Sequence, residues 1–395
     1  AFISKVKAED LMEGVKPKAV DGKPIDDKFI SNTADFSIEL FKKSIAEKEN
    51  SLISPISVML ALAMTANGAA NETLSQMEEV LGKDIPLEEL NEYLYYYVNN
   101  LPSEEKSKLN IANSIWFRDD EDRLTVEKDF LQKNADYYNA AIYKSPFDDQ
   151  TLQDINNWVK TNTDGMIDKI LEKIDDDSIM YLINAIVFDA EWKTVYNKSD
   201  IHEGEFTTID GSKQTVEFMN SEESIYLDDG SATGFIKPYY NDKYSFVALL
   251  PNEGISIKDY IETLSGEGFL NTVKSAQNTV VNAVMPKFSY DYKIKLNDAL
   301  KDLGMHDGLS AAKADFSRLG KSSRGNIYIG EVLHKTFISV DELGTKAGAV
   351  TKVEMNESAP AELKIVRLDR PFVYAIIDNS TNLPVFIGTV MNPKE

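Results

Sequence analysis

An α+β fold is what the 395-residue sequence predicts, and three observations predict it. Apolar residues recur at helical spacing through much of the first half, runs rich in Ile, Val, Phe and Trp dominate the second, and the two patterns do not alternate as a doubly wound parallel sheet requires. With 43% hydrophobic residues the chain can bury a large core, and no internal repeat or low-complexity linker divides it. The expected organisation is one intertwined domain over 31–395, preceded by an N-terminal arm or tail over 1–30.

The arm mixes Lys, Asp, Glu, Gly and Pro, as in VKPKAVDGKPIDD, and is expected to contribute no core. Asn32 or Thr33 then caps a helix whose face carries Phe36, Leu40, Phe41 and Ile45. In SPISVMLALAMTANGAA, Ser54 is a natural N-cap and Pro55 sits at the first helical position, where its missing N–H costs nothing. That run is apolar nearly all round, which predicts a central buried helix. ETLSQMEEVLG, stopped by Gly82, and PLEELNEYLYYYVNN give two more helices. KLNIANSIWFRD and SIMYLINAIVFDAEW read as strands, the second buried on both faces, with helices at VEKDFLQKNADYYNA and LQDINNWVKTN between them. FTTIDGSKQTVEF predicts a hairpin turning near Asp210 and Gly211, and FVYAIIDNSTNLPVFIGTV predicts another.

Charge and motif content exclude several functions. The 42 basic and 65 acidic residues leave a formal charge of -23, which repels phosphate backbones, so nucleic acid is not an expected partner. No apolar run approaches the roughly 18–20 residues of a membrane span. The absence of cysteine removes disulfides, thiolate metal sites and cysteine nucleophiles. The sequence has no nucleophile elbow, zinc-protease helix, phosphate loop or dinucleotide fingerprint. His202, His306 and His334 are too far apart in sequence to suggest a compact metal site, and no cofactor is expected. The runs Asp119 to Asp122 and Asp175 to Asp177 lack the spacing of a calcium loop and read as solvated turns. A hydrolase built on an unrecognised carboxylate pair stays open as an alternative.

The stretch VDELGTKAGAVTKVEMNESAPAE, from Val340 to Glu362, carries the most information. On an extended chain Thr345, Ala347, Ala349, Thr351, Val353 and Met355 share one face, small near its start and apolar near its end. Lys346, Gly348, Val350, Lys352, Glu354 and Asn356 share the other, which holds all the charge. This is a one-sided strand of about 12 residues, roughly 40 Å long. Gly344 in front of it is a natural hinge, and NESAPAE behind it is poor in apolar residues and broken by Pro360. On periodicity alone an ordinary strand running into a loop is the favoured reading.

VDELGTKAGA resembles the reactive-centre hinge of the serpins, and VRLDRPFVYAI, from Val366, resembles the family signature just after the reactive loop. NSLISPISVMLALAMTANGA, NAIVFDAEW, MPKFSYDYKIKLNDALKDLGM and EVLHKTFISVDELGT resemble, in the family's order, its central helix, a central sheet strand, a strand and helix, and the strand leading into the loop. The resemblance implies the serpin fold, with mixed β-sheets, surrounding helices and an exposed reactive-centre loop at about 343–364. It implies a suicide substrate whose cut loop inserts into the main sheet and traps a target serine protease as a covalent acyl-enzyme.

Carried onto this sequence, the hinge comprises Glu342, Gly344, Thr345, Ala347, Gly348 and Ala349. Lys346, where the family usually has Glu, and the larger Val350 depart from its pattern on the outward face. The two ways of counting place the scissile bond at Ser358-Ala359 or two residues on, at Pro360, where proline makes a poor substrate. Ser358-Ala359 is the choice, with Glu357 and Met355 as alternatives before the cut. A small residue there suits elastase-like or subtilisin-like proteases more than trypsin-like ones. Ser54, Ser57, Asn184 and His334 match the family's polar cluster governing sheet opening, and Trp192 its tryptophan at the top of the sheet. Their plain structural readings are a helix cap, a satisfied histidine and a large buried aromatic. A monomer at an extracellular or cell-surface location is expected. A non-inhibitory serpin acting as ligand carrier or chaperone is disfavoured by the small hinge residues.

Overall fold

Four β-sheets and nine α-helices make up the computed structural model, which describes residues 6–345 and 363–394. The largest sheet has seven strands in the spatial order β1 (Glu9–Asp10), β5 (Ala141–Ser145), β3 (Ser107–Arg118), β6 (Met180–Glu191), β16 (Gly344–Thr345), β15 (Glu331–Val340) and β13 (Phe288–Lys295). A six-stranded sheet runs β2 (Ser51–Ile53), β19 (Pro384–Val390), β18 (Phe372–Asp378), β11 (Tyr244–Pro251), β10 (Ala232–Pro238) and β9 (Tyr226–Asp228). A four-stranded sheet runs β17 (Lys364–Arg367), β12 (Val281–Pro286), β8 (Lys213–Glu223) and β7 (Ile201–Thr207), and β14 (Gly320–Ser322) pairs with β4 (Leu124–Val126). The helices are α1 (Asp27–Ser44), α2 (Pro55–Ala66), α3 (Asn71–Leu81), α4 (Leu87–Asn100), α5 (Lys128–Tyr138), α6 (Asp149–Asn162), α7 (Ile257–Thr263), α8 (Gly266–Lys274) and α9 (Asn297–Leu303). This is the α+β arrangement that the unalternated patterns predict.

Two cores flank the seven-stranded sheet. The larger joins its inner face to α1, α2 and the six-stranded sheet. All twelve residues of α2 are buried, as its all-round apolar character predicts. Met59, Leu60, Leu62 and Met64 there each contribute about 1.5–3 kcal/mol. The smaller core packs Ile155, Trp158 and Val159 of α6 over Trp116, Ile183 and Leu333 on the outer face. That second cover explains why β6 is apolar on both sides. The two expected hairpins form, β7 to β8 turning through Gly211 at φ +88° and β18 to β19 antiparallel.

The start of α1 differs from the sequence reading. The helix begins at Asp27, and the carboxylate of Asp26, not Asn32 or Thr33, caps it by accepting from the Phe29 N–H at 3.0 Å. Phe29 lies seven residues before Phe36 on the same face, is fully buried and stacks on Tyr93 at 5.0 Å. The arm before it also carries core residues, because Leu11, Met12 and Ile25 pack against the main cluster. β1 pairs along β5 at the sheet edge, and the Lys7 and Ala8 N–H groups donate to the buried Asp154 carboxylate at 3.1 and 2.9 Å. Backbone pairing to an exposed edge leaves little trace in side-chain periodicity, which is why these residues read as a tail. Among the described residues no helix is long and apolar enough to cross a membrane, and no three potential ligands converge on a metal position.

Candidate functional site

The seam between β6 and β15 brings most of the described candidate residues together. The two strands pair in parallel from Tyr181 to Ile186 against Glu331 to Thr336, so at this level nothing separates them. Above it they part, and β16 sits in the gap, antiparallel to both, with Thr345 opposite Val340 on one side and Ala190 on the other. A chain that turns back at the end of one of two parallel strands necessarily runs antiparallel to each of them.

The turn into β16 is held at each residue. Asp341 accepts from the Leu343 and Gly344 N–H groups at 2.9 and 3.2 Å, and its own N–H donates to the Gly344 carbonyl at 2.9 Å. The indole N–H of Trp192 donates to the Asp341 carbonyl, the Trp192 backbone N–H to Leu343 and the Tyr196 N–H to Glu342, each at 2.9 Å. Trp192 itself stacks on Tyr239 at 4.5 Å, so an aromatic pair backs the turn. Gly344 is required here by close approach, since a Cβ would lie 2.1 Å from the Ala190 carbonyl oxygen. Thr345 is buried, and its hydroxyl meets that of Tyr239 at 2.8 Å. The Lys287 ammonium, 2.8 Å from Glu342, holds that carboxylate below its usual range by hydrogen bonding.

Lower in the seam, one row of side chains crosses three strands. Asn113 of β3 lies opposite Asn184 of β6, which lies opposite His334 of β15. Asn184 donates to Asn113, to the Ser57 carbonyl at 2.9 Å and to the Ser57 hydroxyl. His334 Nε2 accepts the Ser54 N–H at 3.0 Å, which leaves the ring proton on Nδ1 to be donated to Asn184 Oδ1. The ring is fully buried, and burial alone pushes its pKa down to about 3, so it is neutral. Because it contacts the start of α2 as well as both seam strands, this network links helix and sheet.

Ser54 occupies the N-cap position, yet its side chain makes no cap hydrogen bond and its buried hydroxyl has no partner. Its backbone N–H serves His334 instead, so the expected hydroxyl cap is corrected to a backbone contact. Asn113 was not among the sequence candidates. Its signal was an amide, one of two in a strand otherwise rich in apolar residues, and its side chain here also reaches the Ser57 carbonyl at 3.3 Å. Thr336, likewise unmarked, donates to the Leu52 carbonyl at 2.7 Å and ties β15 to β2. Ala347, Gly348, Ala349, Ser358 and Ala359 lie outside the described residues.

The profile of the serpin (serine protease inhibitor) family matches residues 31–393. The chain is a serpin. A serpin-like protein of Thermococcus kodakarensis is 29% identical over 370 residues, 91% of this chain and 84% of its own length. The native state of the thermophilic serpin tengpin is 62% identical, covers 98% of this chain and 100% of its own, and superposes with a TM-score of 0.95. The latent state of tengpin covers 94% of this chain and 99% of its own at a TM-score of 0.84. Serpins act on serine proteases as inhibitors in the main and not as catalysts, so this serpin is not an enzyme and the carboxylate-pair hydrolase falls away.

Proposed function

We propose that this serpin inhibits an elastase-like or subtilisin-like serine protease as a suicide substrate. The protease cuts at Ser358-Ala359, and the acyl-enzyme is trapped as the loop inserts between β6 and β15. The observation that carries the reading is the register of β16. If the antiparallel pairing of Thr345 were continued downward on insertion, residue 347 would fall between Phe188 and Ile338, 349 between Ile186 and Thr336, and 351 between Asn184 and His334. The partners on both sides face the main core, so the uncharged face of the loop is the one that would be buried.

Insertion has a clear balance of chemistry. It replaces one parallel ladder by two antiparallel ones, and Ala347 and Ala349 enter without burying charge, which would be costly. At the level of His334 the Thr351 hydroxyl arrives as both donor and acceptor, so the broken Asn184–His334 contact is replaced and its groups are not left unpaired. Asn113, Asn184, Ser57 and His334 are then a latch that holds the closed seam without locking it. A hinge of this kind gives no support to a carrier or chaperone role. The inhibitor acts as a monomer, outside the cell or at its surface, where such proteases work.

Mixing the protein with elastase and with subtilisin tests this reading. A covalent complex that survives denaturing electrophoresis, with a released peptide beginning at Ala359, is the expected result. Cleavage by both proteases with no stable complex would overturn it.

A further inference from the structure

Behind the hinge, a small polar cavity of about 330 Å³ lies between the segment Thr194 to Asp200, the end of β8 and Lys237 of β10. Its back wall is a buried ion pair, Lys237 Nζ to Glu223 at 3.0 Å, with the two side chains only 3% and 9% exposed. The ammonium also donates to the Thr194 carbonyl and lies 4.4 Å from the centre of the Tyr196 ring. Ser221 donates to Glu223. Those groups are satisfied.

Two groups lining the cavity are not. The Tyr196 hydroxyl, on a residue 4% exposed, receives no hydrogen bond, since the neighbouring Ser221 hydroxyl gives its own proton to Glu223 and can only accept, so the phenol oxygen keeps its acceptor capacity free. The side-chain Oδ1 of Asn220 is likewise buried and unpaired. Burial holds the Tyr196 phenol well above its usual pKa, so it stays neutral and able to accept. Asp200, Glu222 and Glu223 set three negative charges against the single positive charge of Lys237, which leaves the walls acidic. Buried unpaired polar groups are uncommon and call for a partner.

We propose that this cavity binds a small primary alkylammonium ligand. An –NH₃⁺ group supplies three donors and no acceptor, which matches the unpaired Asn220 oxygen, the Tyr196 oxygen and an acidic wall. A carboxylate or phosphate would meet net negative charge and find no free cation, because Lys237 is already paired. A metal ion is not favoured, because among the described residues no three ligating side chains converge.

The ligand also braces the hinge, since the Tyr196 N–H holds the Glu342 carbonyl. This second part rests on the insertion reading, whereas binding itself does not. Bound ligand favours the closed seam and slows insertion.

Titration of the full chain with 1,4-diaminobutane, followed by calorimetry and by the melting temperature, tests the site. Saturable binding is expected, with the Kd raised about five- to tenfold in Asn220→Leu and in Tyr196→Phe, the loss of about one hydrogen bond each. Tyr196→Phe keeps the ring beneath Lys237, and unchanged circular dichroism and melting without ligand would show that it folds. Butane-1,4-diol is expected to bind at least tenfold more weakly, and succinate not at all. Absence of saturation, equal binding of succinate, or affinity unchanged in both variants would overturn the site. Binding without any change in the rate of protease trapping would overturn only the brace.

Discussion

His334 offers a quantitative test of the latch. Its folded pKa is pushed down to about 3, whereas an exposed histidine titrates near 6.5, and burial is the cause. Between those values the unfolded chain holds a proton that the folded chain does not. The stabilisation is therefore complete above about pH 6.5 and is lost as the pH falls through and below it. One pH unit corresponds to about 1.4 kcal/mol, so lowering the pH from 6.5 to 5.0 costs about 2 kcal/mol at this one residue. His334→Gln keeps an acceptor for the Ser54 N–H and a donor for Asn184 while removing the titration. Its imperfect fit is expected to cost about 1–2 kcal/mol at pH 7.5. Urea unfolding of both proteins at pH 7.5, 6.0 and 5.0, read on the first transition, gives the difference between the two slopes. Contributions from every other titrating group are common to both and cancel. A variant that loses about 2 kcal/mol less than the parent between pH 7.5 and 5.0 bears out the buried neutral ring. Parallel losses in the two proteins would refute it.

Four further outcomes follow from the same geometry. Thr345→Arg would place an unpaired charge in the seam, so cleavage is expected to continue while the yield of denaturation-resistant complex falls at least tenfold, measured as the stoichiometry of inhibition. Gly344→Val would meet the Ala190 carbonyl and expel β16, and faster exchange of the Thr345 amide is the measurable sign. Asn113→Ala is expected to cost about 1–3 kcal/mol in chemical unfolding, because it strips Asn184 of one buried partner. Asp154→Ala would leave the Lys7 and Ala8 N–H groups unpaired, so limited proteolysis should cut the N-terminal segment sooner than in the parent.

The elements that dominate the molecule were legible where one periodicity acted alone. The all-round apolar α2, the doubly buried β6 and the two hairpins needed nothing beyond spacing and turn chemistry. Residues 7–11 were not legible, because they are held by backbone pairing to β5 and by backbone donation to Asp154, neither of which selects a side-chain pattern. At the site, resemblance supplied Asn184 and His334, but Asn113 joins them only through strand register, which a single sequence does not print. Ser54 shows the opposite lesson. Its position is that of a helix cap, while its contact to the site runs through the backbone. The small face from Thr345 to Met355 was visible as alternation, and the pairing of Thr345 with Val340 and Ala190 gives that alternation a direction.

The central claim, that the seam between β6 and β15 must open, can be tested with a staple. The chain has no cysteine, so Ala185→Cys together with Lys335→Cys creates a single pair at facing positions of the two strands. Oxidised protein is expected to be cleaved by the target protease without trapping it. The same protein after reduction is expected to form the covalent complex as the parent does. Trapping of equal yield in the oxidised and reduced forms, or in neither when the parent traps nothing, would contradict the account.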